Sequence, residues 1–121
     1  LHAPQAHDHA QDISTHGGVH SIALHISEPI DWTAFGVWLS ALLHVHGKAV
    51  LRIKGILNIG ENYPVLINGV QHMIYPPQHL NEWPNGTHDS QLVLITAGLD
   101  TEKIAASFRR QVLLRDQEDS V

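Results

Sequence analysis

With 121 residues, 43% of them hydrophobic, the chain has material for one domain with a modest core and none to spare for a second. A formal net charge of -5, with only seven Lys and Arg and no basic run among them, argues against nucleic acid as a partner. Cysteine is absent, so disulfides, thiolate zinc sites and cysteine nucleophiles are excluded within this chain, and any metal has to be held by nitrogen and oxygen. No apolar run reaches the roughly 20 residues of a membrane-spanning helix, and no basic-then-apolar leader precedes the first element. The expectation is a soluble, cytoplasmic protein.

The opening "LHAPQAHDHAQDISTHGGVH" carries His2, His7, His9, His16 and His20 but almost no large apolar group. Residues 1–18 therefore read as a flexible His-rich linker, unable to bury enough surface to offset the entropy of ordering. "VHSIALHI", residues 19–26, alternates Ile22, Leu24 and Ile26 against Ser21, Ala23 and His25, the period of a strand with one buried face. Phe35, Trp38, Leu39 and Leu42 then recur at three- and four-residue intervals, which predicts an amphipathic helix over 32–46. Asp31 is its N-cap, Ile30 staples onto Phe35, and Gly47 is the stop.

In "AVLRIKGILNIG", Leu51, Ile53, Leu57 and Ile59 share one face and Arg52 and Lys54 the other, as in a second strand. "VLINGVQHMIY" holds a conflict. Asn68-Gly69 signals a two-residue hairpin turn, yet the long preceding strand needs a long partner, so one continuous strand with an irregularity at Gly69 is expected. "PPQHLNEWPNGTHDS" reads as loop, with Trp83 its large apolar anchor, closing one end of the core. "QLVLITAG" is apolar on both faces from Leu92 to Ile95, as in a central strand covered on both sides or at least well protected. A second helix opens at Asp100 with the stripe Ile104, Phe108 and Val112, and residues 115–121 form a frayed polar tail. The order β-α-β-β-β-α predicts an α+β domain over 19–114, with two layers: a mainly antiparallel four-stranded sheet and two helices.

"LRIKGIL" at 51–57, "GV" at 69–70, Trp83 and "LVLITAGLD" at 92–100, with "PIDWTAFGVWLSALL" at 29–43 after a His-rich stretch, together resemble the C-terminal domain of CobW-type proteins. The resemblance covers about residues 18–114 and rests on the ordered set, since no single piece is specific. It implies a non-catalytic module of a GTP-dependent metallochaperone, acting in cobalamin biosynthesis or in delivery of zinc or cobalt. The implied partners are an N-terminal P-loop GTPase domain of the same parent and a metal-requiring client, with self-association a further option. The family's G-x-x-x-x-G-K-[ST] loop and C-x-C-C motif are missing: Gly47-Lys48-Ala49 has Leu42 in place of the first Gly and Ala49 in place of the hydroxyl. GTP and magnesium would belong to the N-terminal domain alone, and no catalytic residue carries over.

Two readings of the histidines stay open. His7-Asp8-His9 on a flexible backbone, with His2, His16 and His20, can converge on zinc or cobalt, which accept imidazole nitrogen; a polar linker with chance histidines explains them equally. His44 and His46 lie on different faces of the first helix and suit its C-terminal dipole better than a shared ion. His25, on the polar face of its strand, reads as a half-exposed surface histidine, with a place near His72 or the Arg52/Lys54 row as the alternative. Arg52, Lys54 and Trp83 are candidate partner contacts, against the plainer reading of a solvated sheet face and a core anchor. The alternative function is a free-standing metal-buffering or metal-sensing protein without a nucleotide partner.

Overall fold

A computed structural model describes residues 9–16, 18–71, 73–84 and 86–113. Among them, seven strands and two helices follow in the order β1 (His9–His16), β2 (Val19–Ile26), α1 (Trp32–His46), β3 (Val50–Leu57), β4 (Val65–Val70), β5 (Met73–Ile74), β6 (Gln78–His79), β7 (Ser90–Ala97) and α2 (Thr101–Val112). The strands make one sheet, ordered β1-β2-β7-β3-β4-β5, with β6 also on β4, and every pairing is antiparallel. Because β2 and β3 each run antiparallel to β7, they are parallel to one another. α1 is the crossover between them, and β7 fills the gap it leaves.

The α+β class and the antiparallel sheet agree with the sequence, but four strands are too few. Residues 9–16, expected within a linker, pair with all of β2 from His9↔Ile26 to His16↔Val19. Composition missed this because the strand leans on its neighbour: its backbone pairs along the whole of β2, and Ile13, opposite Ile22, packs against the core. Residues 1–8 and the tail at 115–121 lie outside the described residues.

Both helices sit on one face of the sheet, over Ile22, Leu24, Ile26, Ile53, Leu57, Ile67, Leu92 and Leu94, all buried. Their caps are as the sequence predicts: Asp31 accepts from the amide of Ala34 at 3.1 Å and Asp100 from that of Lys103 at 3.2 Å. Gly47 ends α1 in right-handed geometry, φ -54°, so its left-handed freedom is unused there. Phe35, Trp38 and Phe108 form an aromatic cluster between the helices, the Trp38 and Phe108 rings meeting edge to face at 5.1 Å. Trp38 donates its indole N–H to Ser107 Oγ at 2.9 Å, and Ser107 in turn donates to the carbonyl of Ile104.

Three local expectations need correction. A register shift between Val50 and Arg52 sends Val50 into the core in place of Leu51, which is left half-buried. The strand expected to run on through residues 65–75 passes Asn68-Gly69 without turning, as expected, but ends at Val70: the chain reverses there, with Gln71 at φ 54°, so that β5 pairs back as Gly69↔Ile74 and Val70↔Met73. Gly69 leaves room for the Ile74 side chain, whose terminal methyl would have to shift to admit a Cβ there. Within the expected loop, Gln78 and His79 pair with Leu66 and Val65 as β6.

Candidate functional site

Among the described residues, both helices lie on one face of the sheet and none lies over the other. The pairing registers arrange that other face in rows: Ser21, Ile95, Arg52 and Val70 in one, Ala23, Val93, Lys54 and Asn68 in the next, then His25, Gln91, Ile56 and Leu66. β7, expected to be covered on both sides or at least well protected, differs between its two faces. Leu92 and Leu94 are fully buried under the helices while Val93, at the centre of the other face, is 37% exposed. Its apolar run comes from a core on one side and a partly exposed surface on the other.

Arg52 and Lys54 stand on this face as their alternation predicts, and they differ. Lys54 is exposed, whereas Arg52 is half-buried and donates from Nη2 to Asn68 Oδ1 at 3.0 Å. The Arg52 Nε is buried and has no acceptor among the described residues. Beside Asn68 a cleft of about 510 Å³ opens between Leu66, Asn68, Tyr75, Pro76, Pro77 and Gln78. Sequence reasoning missed Asn68 and Tyr75, because only the β3–β4 pairing sets Asn68 near Arg52 and only the reversal after Val70 brings the Tyr75 amide back onto the Asn68 carbonyl.

Trp83 was expected to close one end of the core, but it does not pack on it. Its ring stacks on His88, with centroids 4.9 Å apart and planes at 17°, and it is absent from both the core cluster and the residues packed on it. The indole N–H is buried without an acceptor among the described residues. The loop is held instead through Asn58, whose side chain donates to the His88 carbonyl at 2.9 Å and whose amide donates to Ser90 Oγ at 2.7 Å. His79 lies against Tyr63, ring centroids 4.9 Å apart.

The candidate metal ligands are spread out. His2 and His7 fall outside the described residues. His9 and His16 occupy opposite ends of β1, which at strand rise sets their backbones about 23 Å apart. His20 is half-buried on β2, opposite Thr15 and Thr96. Among the described residues no three His, Asp or Glu side chains gather closely enough to hold a metal ion. His25 is not beside Arg52 but two rows away, its Nε2 2.7 Å from Asp89 Oδ2. His44 and His46 are exposed in the last turn of α1. No helix among the described residues is long and apolar enough to cross a membrane.

Comparison with solved structures finds the same fold in a CobW-type GTPase. Zn(II)-bound YjiA GTPase from E. coli is 28% identical with TM-score 0.70, and a Zn(II)-bound triple mutant of YjiA GTPase is likewise 28% identical with TM-score 0.71. In both, the match covers 78% of this chain and 30% of the other, so the chain corresponds to under a third of those GTPases. No curated protein matches it. The family model described as the cobalamin synthesis protein CobW C-terminal domain matches residues 19–112, from the first residue of β2 to the last of α2. The chain belongs to the CobW C-terminal domain family.

Proposed function

We propose that this chain is the non-catalytic C-terminal module of a cytoplasmic, GTP-dependent metallochaperone. In this reading its sheet meets the GTPase half of the parent or a metal-requiring client, and its His-rich opening gathers zinc or cobalt. The observation that carries the reading is the match of residues 19–112 to a C-terminal domain whose fold also occurs in Zn(II)-bound YjiA GTPase. GTP and magnesium act on the other half; this chain supplies a docking surface and ligands.

The chemistry of the opening is compatible with that role. His2, His7 and His9 are close in sequence, and neutral imidazole ligates zinc and cobalt. His16 and His20 flank the β1–β2 turn, away from His9, and would make at most a separate, weaker locus.

The test is calorimetric titration of zinc and of cobalt into the chain and into the variant H2N/H7N/H9N, which leaves the length of β1 intact. The chain is expected to bind and the variant to lose most of the affinity, and binding weakens on acidification because a ligating imidazole must be neutral. Equal binding by both would remove these three histidines from the metal role.

A further inference from the structure

The chain has 12 Asp and Glu and seven Lys and Arg, yet none of them falls among the 15 residues of α1. One stripe of this helix is buried in the core. Its outer side, Gly36, Val37, Ser40, Ala41, His44 and Val45, is exposed, with Val37 64% and Val45 68% accessible. Val37, Ala41 and Val45 follow at intervals of four, so they are neighbours along one ridge with no charge between them. A surface helix ordinarily turns charged side chains to water, and an uncharged ridge with protruding valines marks a surface that is covered in use.

Beside the ridge a groove of about 530 Å³ runs between the helices, lined by Trp38, Ala41, Leu42 and Val45 of α1 and by Leu99 and Ile104 across from them. It offers an apolar seat to a side chain that arrives against Ala41 and Val45. Asp100 and Lys103 stand on its far wall, one charge of each sign. Along α1 itself, charge is confined to the ends: Glu28 and Asp31 precede the first turn, and Lys48 follows the last, next to His44 and His46. A partner for this face must therefore be uncharged in the middle, cationic beside Glu28 and Asp31 and anionic beside Lys48. The same face, turned end for end, has that distribution.

We infer that the outer face of α1 is the contact between two copies of this chain, packed antiparallel about a two-fold axis at Ala41. Val37 of one copy then lies against Val45 of the other, since each is four residues, or about 6 Å, from the axis. At the shallow crossing of about 20° common in helix pairs, the acidic start of each helix runs alongside the basic end of its counterpart, and the two helix dipoles oppose. A second copy suits the face because one set of residues, used twice, satisfies both ends, as an isologous contact requires. Copies of net charge -5 repel one another, and that repulsion is weakest where the surface carries no charge. The inference goes beyond the proposed function and does not depend on it. Its axis closes the pair at two copies, which separates this contact from association through an unpaired strand edge.

The test uses the 121-residue chain, whose lack of cysteine lets single thiols be placed at will. Sedimentation equilibrium over a concentration series is expected to show a two-copy species. A41E, a good helix former at an exposed position, is expected to keep the circular dichroism spectrum and to weaken pairing at least about tenfold, because two carboxylates then meet at the axis. Under mild oxidation A41C should form the interchain disulfide at least about tenfold faster than V37C, whose two copies would lie about 12 Å apart along the helices. V37C chains mixed with V45C chains should cross-link to each other in preference to themselves. A chain that stays monomeric through the series overturns the inference. So does pairing that A41E leaves intact, which puts the contact on another face, and so do equal rates for A41C and V37C, which deny the two-fold register.

Discussion

Ser107 joins the two helices through one hydroxyl, accepting from the Trp38 indole and donating to the Ile104 carbonyl. Trp38 is 4% exposed, so in S107A its N–H loses its acceptor where water reaches it poorly. The expected cost is about 1–3 kcal/mol by urea denaturation, with the far-UV spectrum retained. A second residue-scale prediction concerns Gly55, which is needed for closeness and not for a left-handed backbone. A Cβ there would stand 2.6 Å from Leu92 Cδ1 and 2.8 Å from the Gln91 carbonyl oxygen, and that oxygen belongs to the central strand. G55A should destabilise by about 1–3 kcal/mol in the same assay. Neither dependence was visible in the sequence, since each joins positions in elements distant along the chain. What was visible was the burial of Phe35, Trp38, Leu39 and Leu42, because helical spacing alone places them on one side.

At the scale of elements, the helices are more legible than the strands. α1 spans Trp32–His46 as its stripe and its Asp31 cap require, and D31A should cost about 1 kcal/mol, read as a lowered melting temperature. The strands carry signals that depend on what lies beside them. Asn68-Gly69 has the composition of a turn yet sits within β4, because pairing on both sides and the Ile74 side chain over Gly69 outweigh a local preference. The polar β1 was hidden for the complementary reason: its backbone bonds to β2 and the packing of Ile13 supply what its composition lacks.

For the whole molecule, β1 covers one edge of a sheet whose family model begins at Val19. A version beginning at Val19 should therefore keep the helices and the core but leave the outer backbone of β2 unpaired. The expected outcome is a folded circular dichroism spectrum with a lower melting temperature and concentration-dependent association in sedimentation velocity. A monomer as stable as the full chain would show that β1 contributes nothing to holding the edge. The same consideration explains why H2N/H7N/H9N, rather than a shortened chain, is the better comparison for metal binding.

Periodicity and capping chemistry were enough to establish the α+β class, both helices with their buried stripes, the alternation of Arg52 and Lys54 against a core face, and the ordered pattern that places the chain in its family. All of these are encoded within a few residues of each other. The tertiary structure alone decided that β7 lies between β2 and β3, that both helices lie on the same face of the sheet, that Arg52 is held by Asn68, that His25 meets Asp89 and that His9 is far from His16. Those are consequences of strand order and register. They arise from pairings between distant segments, and the free energy that selects them is the burial of a shared core, which no local window contains.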